Sequence, residues 1–146
     1  MTKDVLITIS GMQMADGENS DIEMITTGDY YQKNGKHYVL YDEVLEGFDG
    51  IVKNTIKIQD DGLDIIKKGV ANVHMAFEKN KKNISCYATP FGEMMIGIST
   101  NQISIDEKED NLKVKVDYSL DINYEHISEC NITVDIQSKS SAQVHL

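Results

Sequence analysis

A chain of 146 residues with 14 Lys and Arg against 24 Asp and Glu carries a formal charge of −10. This length suits one domain burying roughly 70% of its unfolded surface, and the acidity excludes nucleic acid as a partner, because phosphate binding draws on Lys and Arg displacing counterions. No stretch reaches the ~18 apolar residues that span a membrane, and the first residues lack the apolar core of a signal peptide, so the expected compartment is the cytoplasm.

In chain order, Val5, Ile7 and Ile9 begin an alternating strand. At Gly11 the apolar phase shifts to Met12 and Met14, which predicts a bulge. Residues 16–21 read as a turn, and a second strand follows over residues 22–33. Asn34-Gly35 is the strongest short hairpin signal and pairs that strand with residues 37–44. Residues 45–50 form a loop, residues 51–59 another strand, and Asp61-Gly62 a second hairpin turn into residues 63–68. Beyond Gly69, residues 70–79 alternate again, and the cationic run from Lys79 to Lys82 reads as a solvated turn. Residues 84–89 lead through Pro90 and Gly92 into a long strand over residues 93–106, whose phase change between Ile98 and Ile103 predicts a bulge near Asn101. After a turn at residues 108–111 comes the clearest alternation in the chain, residues 112–124. There Leu112, Val114, Val116, Tyr118, Leu120, Ile122 and Tyr124 form one row and mostly charged residues the other. Residues 127–136 close the series.

About ten strands joined by short turns exclude a parallel α/β sheet, whose crossovers need a dozen residues or more. The expected fold is all-β: an antiparallel up-and-down meander closed into a barrel of about eight to ten strands, since closure removes exposed edges. A two-sheet sandwich is the alternative. Gly11, Gly28 and Gly97 are assigned to bulges that would bend the sheet round. The domain is placed at residues 1–137, with a frayed tail over residues 138–146.

Cys86 and Cys130 stand alone, without C-x-x-C spacing or a His cluster, so no metal or cofactor is expected, and two reduced cysteines are expected over the alternative of a single disulfide. No nucleophile elbow, metal-binding helix or phosphate loop occurs, which gives no ground for an enzymatic assignment. The strings Thr26-Thr27-Gly28-Asp29-Tyr30-Tyr31, Tyr38-Val39-Leu40-Tyr41-Asp42-Glu43 and Tyr87-Ala88-Thr89-Pro90-Phe91-Gly92 resemble those of a small bacterial family typified by YwiB. Lys68-Gly69, Phe77 and Ser99-Thr100 fall at fitting separations. The resemblance implies a lipocalin-like (calycin) barrel and supplies no chemistry. Where the family commonly has arginine before the glycine, this chain has lysine, so a bidentate guanidinium contact is not carried over.

Tyrosine joins an apolar body to a hydrogen-bonding tip and suits a ligand cavity. A small, mostly apolar ligand inside the barrel would have Tyr30, Tyr41, Tyr87 and Tyr118 as walls and Glu43 or Lys67 as orienting group. Adjacent tyrosines point to opposite faces, and strand packing accounts for these rings more plainly. Glu43 and Lys67 are likewise read first as surface charges, and alternatively as a buried pair near Tyr41. His74 is read as a satisfied or solvent-facing strand histidine, and alternatively as a base or ligand in the barrel mouth. The competing function is a packed barrel that engages a basic protein partner through its acidic exterior.

Overall fold

The computed structural model describes residues 1–11, 23–44, 47 and 49–139. Ten strands follow one another: β1 Asp4–Ser10, β2 Glu23–Lys33, β3 Lys36–Val44, β4 Ile51–Gln59, β5 Gly62–Gly69, β6 Val73–Glu78, β7 Lys82–Thr89, β8 Gly92–Glu107, β9 Asn111–Ile122 and β10 Glu125–Ser138. All lie in one antiparallel sheet of order β6-β5-β4-β3-β2-β1-β10-β9-β8-β7, so the first and last strands are neighbours. The rolled sheet meets itself at β6 and β7, where an isolated bridge pairs Asn72 with Ala88, N–H to O at 2.9 Å in each direction. The amide of Asn83 adds a bond to the Ala76 carbonyl at 3.3 Å. This is the nearly closed meander barrel that the alternation predicts.

Period two decides what lies inside. The β9 row Leu112, Val114, Val116, Tyr118 and Leu120 is buried and faces Ile136, Val134, Ile132, Cys130 and Ser128 of β10 in register. Val5, Ile7, Val39, Ile56, Phe77 and Ile136 are each 0% exposed, so no water-sized space touches them. Burial of a Val, Ile or Phe side chain contributes about 1.5–3 kcal/mol, which makes this interior the main source of stability.

Turn chemistry fixes the register. Asn34 and Gly35 hold φ at 53° and 75°, as a two-residue hairpin with the strand twist requires. The predicted bulge at Asn101 is present, as a register shift between Thr100 and Gln102.

Other expectations are corrected. The β4–β5 turn is Asp60-Asp61, because Gly62 already pairs with Gln59. Tyr124 is not in β9 but in a hairpin turn with Asn123, at φ 70° and 50°; apolar alternation hid it because Tyr rarely takes a left-handed backbone. Gly11 has φ 79° just beyond the last pair of β1, so it ends the strand. Gly28 and Gly97 cause no register shift; a Cβ on Gly28 would lie 2.6 Å from the Leu40 carbonyl and 2.7 Å from Ile7 Cδ1. Gly28 therefore permits close packing and does not bulge. Ser138 is fully buried and bonded to Asp110, so β10 runs one residue past the assigned domain end. The expected turn at residues 16–21, most of the loop at 45–50 and the tail from residue 140 lie outside the described residues.

Candidate functional site

One barrel end gathers the β3–β4 loop, the β5–β6 turn, the β7–β8 turn and the β9–β10 turn. Inward-facing positions near it include Tyr41 and Glu43 on β3, Asn54 on β4 and Lys67 on β5, which register places side by side: Tyr41 opposite Asn54, Asn54 opposite Lys67. The Lys67 ammonium donates to Glu43 Oε1 at 2.9 Å and to Asn54 Oδ1 at 2.7 Å. Asn54 in turn donates to Glu43 at 3.3 Å and to the Val52 carbonyl at 3.3 Å. Asn54 is 1% exposed, and the Lys67 and Glu43 side chains 11% and 32%, so the pair is sunk in the barrel mouth with Glu43 nearest water. The surface reading of Glu43 and Lys67 is thereby corrected: both sit in the inward phase, and the alternative of a polar pair near Tyr41 is the one observed.

An ammonium has three N–H groups, and two are used here. Among the described residues the hydroxyls of Tyr41 and Tyr87 make no hydrogen bond, which leaves two further donors beside the pair. Burial first, and the Glu43 charge second, raise both tyrosine pKa values, so each hydroxyl stays protonated at neutral pH. The recess thus offers donors from Lys67, Tyr41 and Tyr87 around one acceptor, Glu43. It suits a ligand group rich in oxygen acceptors.

Two of the six predicted residues lie elsewhere. Tyr118 is deep in the interior, edge-on to Phe77 at 5.0 Å, its pKa pushed well up by burial and then by neighbouring Cys130. Tyr30 faces inward at the opposite end, where its hydroxyl meets His37 Nδ1 at 2.7 Å and His37 Nε2 meets Glu107 at 2.7 Å. Tyr31, next in sequence, points outward and stacks on Tyr38 at 4.9 Å. His74 is on the exterior, paired with Asp64 at 2.8 Å, as expected for a solvent-facing strand histidine. Asn54 and His37 were missed although the signal was present: each is a polar residue in the apolar phase of its strand.

Beside the recess the wall is split. β2 pairs with β3 only from Lys33↔Lys36 to Asp29↔Leu40; beyond that, β2 pairs only with β1 and β3 only with β4. A cavity of about 650 Å³ lies against the outer face of the wall here, lined mainly by the outward-facing Asp4, Thr27, Asp29, Asp42 and Lys53, with the buried Tyr41 and Asn54 behind them. Among the described residues the mid-barrel side chains are fully buried against one another. Cys86 is exposed and Cys130 buried, and neither is in a disulfide among the described residues. Among the described residues no three His, Cys, Asp or Glu side chains are grouped to hold a metal, and no helix is long and apolar enough to cross a membrane.

The model of the family described as Domain of unknown function (DUF1934) matches residues 7–134. The uncharacterized beta-barrel protein YwiB of Bacillus subtilis (strain 168) is 30% identical over 122 residues, covering 82% of this chain and 84% of that one. A crystal structure of the ywiB protein from Bacillus subtilis superposes with a TM-score of 0.78 and 25% identity, over 93% of this chain and 92% of the other.

Proposed function

Since the chain belongs to the DUF1934 family and shares the barrel of its YwiB relative, we propose that it is a non-enzymatic binding protein whose ligand sits at the open end. The single observation that carries this reading is the Glu43–Asn54–Lys67 constellation, with its spare donors, sunk in the barrel mouth. Sinking an ion pair costs desolvation that an apolar pair would avoid, so its presence beside an opening marks a recognition site better than a stability device. The ligand is a small molecule of mixed character. Its carbonyl or carboxylate oxygen takes the third Lys67 N–H and the tyrosine hydroxyls, while its apolar body rests on the tyrosine rings. Val44, Ile51 and Phe91, exposed at 74%, 49% and 86%, lie at the same end. Two cysteines outside any disulfide among the described residues, one of them exposed, fit a reducing cytoplasm.

The test is a thermal-shift panel of small N-acylated amides and carboxylates, repeated on Lys67→Met and Tyr41→Phe. Ligands that stabilise the wild-type protein should lose their effect in both variants. Stabilisation unchanged in Lys67→Met would remove the recess from the account.

A further inference from the structure

The split in the barrel wall is built from backbone, and that narrows the ligand class. Tyr30 N–H donates to the Lys3 carbonyl at 2.7 Å, so in the alternation of an antiparallel pair the even-numbered residues of β2 bond to β1. Ile25 and Thr27 therefore turn their N–H and C=O groups into the split. On β3, His37, Val39, Tyr41 and Glu43 bond to β4 by the same count, so Asp42 and Val44 face the split from the other side. Among the described residues none of these four has a ladder partner across it. Among the described residues, two strand edges without ladder partners thus part here, beside the cavity of about 650 Å³ that Thr27 and Asp42 line. Unpaired edges are templates for an added strand.

The charges at the rim say what kind of strand. Asp4 and Asp29 are directly opposite each other in the β1–β2 register and form no ion pair among the described residues, whereas Asp42, across the split, stands opposite Lys53 of β4, and Lys139 also lines the cavity. Like charges face to face on a sheet are unfavourable, and a cation between them relieves the repulsion. We propose that the split takes an extended peptide segment, which pairs with the edges at Ile25 and Thr27 and at Asp42 and Val44, and sets a Lys or Arg against Asp4 and Asp29. This names the ligand class of the recess and rests on that reading in one respect: a peptide carbonyl is the acceptor that Lys67 and Tyr41 are arranged to meet.

The probe is a blocked, fluorescein-labelled heptapeptide of alternating Val and Lys, with Glu replacing Lys in one control and a central Pro in another. Saturable binding in fluorescence anisotropy is expected, weakened about tenfold or more, equivalent to 1.4 kcal/mol, by either control and by Asp29→Lys in the protein. Bound peptide should also slow amide exchange at Ile25, Thr27, Asp42 and Val44. Equal binding of the Glu peptide, or unchanged exchange at those amides, would overturn the proposal. So would amides already protected in the free protein, since the edges would then be occupied. If small amides still bind through Lys67 while the heptapeptide does not, the recess stands and strand docking falls; if the Lys67 dependence alone is missing, the split binds peptide without the recess.

Discussion

Lys67 and Glu43 are partners but not equals, because the ammonium is nearly covered and the carboxylate reaches water. Glu43→Gln leaves a sunken cation with a weaker acceptor and should destabilise the fold by about 1–3 kcal/mol. Lys67→Met replaces the cation with an apolar side chain of similar length and lets Glu43 turn to solvent, but it strips the buried Asn54 Oδ1 of its donor and should also cost about 1–3 kcal/mol. Urea denaturation of the two variants reads these losses; no loss in either would mean that the pair is not buried as described. Tyr41 and Tyr118 supply a pH dependence. Their folded pKa values are raised above the ordinary 10.0, so the native state holds its protons longer than the unfolded chain. The stabilisation is complete below pH 10 and is lost as pH rises beyond it. Absorbance at 295 nm should show these two hydroxyls ionising only with cooperative unfolding. At this scale the sequence hid most: Asn54, His37, Glu43 and Lys67 are ordinary polar residues whose meaning comes from strand phase and from neighbours one and two strands away.

The strands themselves were legible because one face is dry and the other wet, which imposes period two on β1, β4 and β9 without help from distant contacts. Hairpin chemistry was legible where Asn-Gly announced it and obscure where Asn123-Tyr124 did the same task. β6 is shorter than alternation suggested, because Asn72 bends the chain by bracketing Gly69: its Oδ1 accepts from the Gly69 amide at 3.2 Å and its Nδ2 donates to the Gly69 carbonyl at 2.9 Å. Gly69 itself has φ 135° with the Ile51 carbonyl against it, a position no other residue fills without strain. The same Asn72 closes the seam through Ala88. Ala88→Pro removes that N–H and should cost about 1–3 kcal/mol, with faster amide exchange confined first to β6 and β7; exchange quickening evenly round the barrel would contradict this placement of the seam. Gly28→Ala drives a methyl group into Leu40 and Ile7 and should cost about 1–3 kcal/mol in thermal or urea denaturation.

Across the whole molecule, ten strands surround a packed centre, so both proposed binding sites lie at the end and the side of the barrel. Closure was legible in the meander because hairpins need no crossovers, whereas the split between β2 and β3 was not, since nothing in local alternation says where two paired strands part. A net charge of −10 gives the exterior an attraction for cationic partners that salt screens, so binding of the Lys heptapeptide should weaken with ionic strength, and binding of neutral small amides should not. The most direct test is a two-dimensional ¹H–¹⁵N NMR titration of the labelled protein with N-acetylglycinamide. Shifts concentrated at Tyr41, Glu43, Asn54, Lys67 and Tyr87 are predicted, with Val114 and Ile136 unmoved. Shifts centred on Val114 and Ile136 would place the ligand inside the barrel and contradict the account.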